Sequence, residues 1–155
     1  MEQIEEILNK QRKYFHTNET LPLEFRLEQL NKLKHSILAN IDTLLDAFKE
    51  DFNKLEYDVF TTEVGLVLEE IKFMKKHLAK FMKGKKAKTG IANFPSKAKI
   101  MPQPLGQVLV MSPWNYPFQL AMNPLVGAIA CGNTVIVKPS AYAPKVSECI
   151  KKILS

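Results

Sequence analysis

Apolar positions recur with two different periods along the 155-residue chain, and the change falls near its middle. In the first half, Ile4, Ile7, Leu8, Gln11, Tyr14 and Phe15 follow helical spacing and predict a short amphipathic helix. Thr20, ahead of Pro22 and Glu24, offers capping chemistry for a second helix carrying Phe25, Leu27, Leu30, Leu33 and Ile37. After a break near Asn40 comes a third stripe of Ile41, Leu44, Leu45 and Phe48. A longer one runs from about Tyr57 to Phe81 through Phe60, Val64, Leu68, Ile71, Met74 and Leu78. Lys83 to Lys99, with six lysines, Gly84, Gly90 and Pro95, has no long period and predicts a loop or a pair of edge strands.

Beyond it the period shortens. Gln107–Met111 reads as a short buried strand, ended by Pro113. Pro117 opens an apolar helix that stops at the capping pair Gly132-Asn133, and Thr134–Val137 is a second buried strand. Pro144 opens an amphipathic helix with Val146, Ile150, Ile153 and Leu154. The order strand, helix, strand, helix is the opening of a doubly wound parallel sheet. The expected class is therefore α/β: N-terminal helices, then an incomplete doubly wound sheet. Three segments follow: 1–82 helical, 83–105 a lysine-rich connector or edge strands, and 106–155 the start of a truncated α/β domain. Two strands do not finish a parallel sheet, and the second is apolar throughout, so both its faces expect cover.

Charge changes this picture in one respect. Fifteen of the 16 acidic residues precede Ile71, and none lies between Ile71 and Ser147. With a net charge of +6, that asymmetry favours an anionic partner for the second half and removes any carboxylate base from it. The acidic amphipathic start is no targeting peptide, and no run is long enough for a membrane span, so a cytoplasmic protein without membrane contact is expected. Two cysteines and three scattered histidines make neither a disulfide framework nor a metal site. Cys131 and Cys149 read as packing residues, Cys131 at a helix C-terminus where a thiolate is disfavoured. The lysine cluster lacks interleaved aromatics and reads as a solvated loop rather than a nucleic-acid surface. Gly84 to Gly90 is followed by no Gly-Lys-Ser/Thr and is no phosphate loop.

Two segments carry candidate chemistry: Ser112-Pro113-Trp114-Asn115-Tyr116-Pro117, and Gly132 to Ser140 with Lys138-Pro139-Ser140 at its end. Lys138 lies at the carboxyl end of a strand, where open α/β sheets bind ligands. Asn115 is either a cap for the helix that follows or a fixed amide donor. In register, with an apolar helix between them, the two segments resemble the start of the nucleotide-binding domain of the aldehyde dehydrogenase superfamily, in its shorter class-3-like branch. The resemblance spans the whole chain but about the N-terminal third of a family member.

The resemblance implies roles. Asn115 would stabilise the oxyanion formed when a thiolate attacks an aldehyde. Lys138 would contact the adenosine ribose of NAD or NADP, with Pro139, Ser140 and Trp114 shaping the cofactor site. Family members usually place Glu three positions after that Lys; here Ala141 stands there, which implies tolerance of the 2′-phosphate of NADP. The Gly-rich turn, catalytic Cys and general-base Glu of the family all lie downstream of this stretch. The expectation is thus an aldehyde-oxidising enzyme's N-terminal part, inactive alone, with an aldehyde as substrate only in a complete enzyme. The alternative is a non-catalytic module that self-associates or pairs with a complementary C-terminal chain.

Overall fold

The structure, a computed structural model, describes residues 2–155. Five helical stretches come first: α1 (Glu2–Phe15), α2 (Leu23–Ala39), α3 (Ile41–Phe52), α4 (Glu56–Val59) and α5 (Gly65–Phe81). The long stripe from Tyr57 to Phe81 is not one regular helix. Between α4 and α5 the chain takes a π-helical turn, Phe60–Val64, in which the Gly65 N–H donates to the Phe60 carbonyl. A Cβ on Gly65 would stand 2.8 Å from that oxygen, so the wider turn needs glycine there. The expected break at Asn40 separates α2 from α3.

The lysine-rich stretch forms two short antiparallel strands, β1 (Lys85–Ala87) and β2 (Ala98–Ile100). Then come β3 (Gln107–Met111), α6 (Gln119–Ala130), β4 (Thr134–Lys138) and α7 (Pro144–Leu154). β3 and β4 pair in parallel, Gln107 opposite Thr134 and Met111 opposite Lys138, so the expected strand–helix–strand–helix order holds. No helix among the described residues is long and apolar enough to cross a membrane.

One core joins the two halves. Leu30, Ile37, Leu44, Phe48, Val64 and Ile71 from the helices pack with Phe118, Met122 and Val126 of α6 and with Val146 and Ile150 of α7. Val110, Val135 and Val137 line the sheet face turned toward this core. The opposite face is open. Leu109 is 60% exposed and Met111 66%, which corrects the expectation that β3 is a buried strand. Residues alternate across a strand, and α6 covers only one side. The α1 stripe is likewise only partly covered, with Ile4 and Ile7 in solvent.

Two local expectations shift. Thr20 does not cap α2; its hydroxyl is buried without a partner, and Pro22 occupies the N-cap with no side-chain bond. The helix expected at Pro117 begins at Gln119, after a turn. Its other end is as expected: Gly132, at φ 84°, donates to Ile129 O, and Asn133 donates to Ala128 O, a left-handed C-terminal cap. Asn133 also accepts the Gly106 N–H at 2.9 Å, tying the beginnings of the two strands together.

Candidate functional site

The carboxyl ends of β3 and β4 lie side by side, and the Ser112 N–H bonds the Lys138 carbonyl at 3.2 Å. Both candidate segments therefore leave the sheet from one edge, which is where ligands bind in open α/β sheets.

On the β3 side, Ser112–Phe118 is a loop. Asn115 is exposed and its amide makes no hydrogen bond to the described residues. The capping alternative is thereby removed, because Phe118 is the N-cap of α6 and the first amide of that helix is held by a residue from elsewhere. That residue is Glu63 of the π turn. It is fully buried, and its Oε2 accepts the Gln119 N–H at 2.9 Å. Its Oε1 faces Lys54 Nζ at 3.4 Å. Burial pushes the Glu63 carboxyl above the ordinary carboxylate range, while the Gln119 amide and Lys54 pull it back.

Lys54 reaches this position because α3 ends at Asn53 in the left-handed conformation, φ 50°, which Asn tolerates better than most residues. The ammonium also bonds Thr62 Oγ1 at 2.9 Å. It lies 5.2 Å from the Tyr116 ring centre and 5.5 Å from that of Phe48. Lys54, Glu63, Asn115, Tyr116 and Pro117, with Phe48 and Phe52 as aromatic wall, line a cavity of about 360 Å³. Trp114, expected to shape the cofactor site, is 57% exposed on this loop.

On the β4 side, Lys138 is exposed and forms no ion pair among the described residues. Ser140 is buried and builds the turn that follows, accepting the Tyr142 N–H on its hydroxyl at 3.2 Å and the Ser147 hydroxyl on its carbonyl at 2.8 Å. Pro139 lines a separate, larger trough of about 1160 Å³ between α1, α2, β4 and α7. The predicted residues thus share one sheet edge but not one cavity. Cys149 is buried, and burial raises its thiol pKa; Cys131 is exposed, which corrects its reading as a packing residue. Neither lines the Asn115 cavity.

Glu63, Lys54 and the buried Arg26 were not among the sequence candidates. Glu63 and Arg26 had a legible signal, since each is a charge within the apolar face of its helix, at helical spacing from Phe60 and Val67 and from Leu30 and Leu33 respectively. Lys54 had none.

The aldehyde dehydrogenase family model matches residues 1–155, the whole chain. The chain belongs to the aldehyde dehydrogenase family. It is 40% identical over 152 residues to the 4,4′-diaponeurosporen-aldehyde dehydrogenase of Staphylococcus aureus, covering 98% of this chain and 33% of that protein. It is 40% identical over 143 residues to aldehyde dehydrogenase family 3 member A2 of Pongo abelii, covering 92% of this chain and 30% of the relative. The class-3-like resemblance accordingly holds. A solved Staphylococcus aureus aldehyde dehydrogenase in a substrate-bound state superposes with TM-score 0.93 at 40% identity, over 97% of this chain and 33% of that one. A Streptococcus pyogenes succinic semialdehyde dehydrogenase superposes at TM-score 0.82 and 18% identity over 97% of this chain and 32% of that one, a likeness of fold. The chain spans about a third of the length of the relatives it matches.

Proposed function

We propose that this chain supplies the oxyanion-binding loop and the first cofactor-contacting turn of an enzyme that oxidises aldehydes to carboxylates with NAD or NADP, and that these 155 residues alone do not catalyse the reaction. The observation that carries the reading is the free Asn115 amide, relieved of capping by Glu63 and lining a cavity at the sheet edge. When a thiolate adds to an aldehyde, charge builds on the carbonyl oxygen. A preorganised amide N–H there is worth about 2.7–4 kcal/mol of barrier.

NAD(P), when bound, supplies the hydride acceptor. The residues at β4 fit such a group: Lys138 is a cation with no ion pair among the described residues, able to bond a ribose hydroxyl or phosphate oxygen. Ala141 is exposed and places no carboxylate beside it, so a 2′-phosphate meets attraction rather than repulsion. Pro139 and Ser140 fix the turn that presents Lys138, and the outward Trp114 offers a ring face on the neighbouring loop.

The missing ingredient within these residues is a thiol opposite Asn115, since Cys131 and Cys149 lie away from the cavity. Purified chain incubated with aldehydes and either cofactor should give no reduced nicotinamide, and steady turnover removed by Cys131→Ala or Cys149→Ala would overturn this. Grafting the chain onto the remainder of the Staphylococcus aureus relative supplies a complete enzyme. There Asn115→Ala should lower kcat by about a hundredfold to a thousandfold. Cofactor titrations of the same chimera should show NADP used at least as well as NAD, and a strong NAD preference would sink the Ala141 argument.

A further inference from the structure

We propose that Glu63 is a positioning residue that, through Gln119 and with Lys54, holds the Trp114-Asn115 loop in place. The inference rests on the reading of Asn115 as the oxyanion donor. α6 begins without a capping side chain and without an acidic residue in its first turn, so its N-terminal amides need a partner. Glu63 reaches across from the π turn to take the Gln119 N–H, four residues after Asn115. Its second oxygen faces Lys54, which sits over the Tyr116 ring, immediately after Asn115. The loop is thus gripped at both of its last turns by one carboxylate–ammonium pair.

Stability alone does not account for this choice. A fully buried carboxylate with a single cation at 3.4 Å is a weak stabiliser, and an apolar residue with a neutral cap serves a fold equally well. The π turn is what swings Glu63 toward α6: it inserts one extra residue, and Gly65 permits it. Position is the property this arrangement supplies.

Trp114 is the sole tryptophan, so its fluorescence reports the loop itself in the purified chain. Glu63→Ala should lower Trp114 anisotropy and raise its quenching by iodide while far-UV circular dichroism stays native. The Gln119 amide should exchange with solvent about tenfold faster or more, as expected for loss of a charge-assisted bond. Glu63→Gln, which keeps an acceptor oxygen, should restore both readouts in large part. Asp51→Ala, which removes a comparable cap from α7, should leave Trp114 unchanged. An unmoved Trp114 in folded Glu63→Ala, or equal movement in Asp51→Ala, overturns the proposal. Should Glu63→Ala fail to fold, Lys54→Met decides: it leaves the Gln119 bond intact and should still loosen Trp114, and no change refutes the grip. A chimera in which Asn115→Ala has no kinetic effect would remove the oxyanion reading while leaving this fluorescence result standing.

Discussion

Replacing Gly132 by alanine tests the joint between α2 and α6. Gly132 sits at φ 84°, and a Cβ there would lie 2.8 Å from Arg26 Cζ, 2.8 Å from Arg26 Nη2 and 2.8 Å from the Thr20 carbonyl. The left-handed conformation costs an L-residue about 1–2 kcal/mol. The guanidinium must then move, although its Nε donates to Thr20 O at 3.0 Å and its Nη1 to Ala130 O at 3.1 Å. Losing one such bond from a charged group costs about 1.5–3 kcal/mol. The two effects together predict destabilisation of about 2.5–5 kcal/mol. With an m-value of about 2 kcal/mol/M, the urea midpoint should fall by about 1.2–2.5 M. Gly127→Ala is the internal control: it lies within α6, a Cβ there meets nothing within 4 Å, and it should stabilise. Because both act on one guanidinium, Gly132→Ala and Arg26→Leu should be strongly non-additive in a double-mutant cycle. A Gly132→Ala variant within about 0.5 kcal/mol of the parent, or simple additivity with Arg26→Leu, would refute the reasoning.

The remaining predictions are smaller. Asp51 accepts the Val146 N–H at 2.9 Å and the Lys145 N–H at 3.3 Å, so Asp51→Ala should cost about 0.5–2 kcal/mol by urea titration; no loss would remove the cap. A thiol reagent should label Cys131 in the native chain and both cysteines only after unfolding, and two native thiols would contradict the burial of Cys149. Burial raises the Glu63 pKa on folding, so its stabilising contribution is complete below the unfolded value and is lost as pH rises through the folded value. The difference in Tm between the parent and Glu63→Gln should therefore decline as pH rises across that window. A difference that grows instead would reverse the sign of the argument.

Much of this is legible in the sequence. Helical and strand periods, the break at Asn40, the Gly132-Asn133 stop and Pro144 at a helix start each depend on a local rule, and local rules survive folding. The sheet edge carrying Asn115 and Lys138 was legible too, because a strand's carboxyl end is fixed by its order in the chain. What escaped depends on distant partners. Thr20 looked like a cap because Thr before Pro22 and Glu24 is capping chemistry, yet the neighbourhood of Arg26 claims its carbonyl and buries its hydroxyl. β3 looked buried because its residues are apolar, while burial is decided by what covers them. The π turn hides inside an otherwise helical stripe, with Gly65 its sole overt mark.

The charge asymmetry shows why distance matters most. A second half without carboxylates between Ile71 and Ser147 invited an anionic partner, and the folded chain supplies part of that demand from its own first half. Both helices of the second half lack an acidic residue in the first turn. Each instead receives a carboxylate from the helical segment, Glu63 at α6 and Asp51 at α7. Helix N-termini carry partial positive charge, so these two acids satisfy donors and dipole together. Arg26 does the converse at the other end of α6, placing a cation on the Ala130 carbonyl. The acidic and basic halves are thus complementary surfaces of one core. The cation that this pairing leaves unclaimed at the sheet edge is Lys138, next to the unclaimed amide loop of Asn115. Donors at that edge that are free among the described residues, amid helix ends already satisfied from within, are what the proposed ligand site rests on.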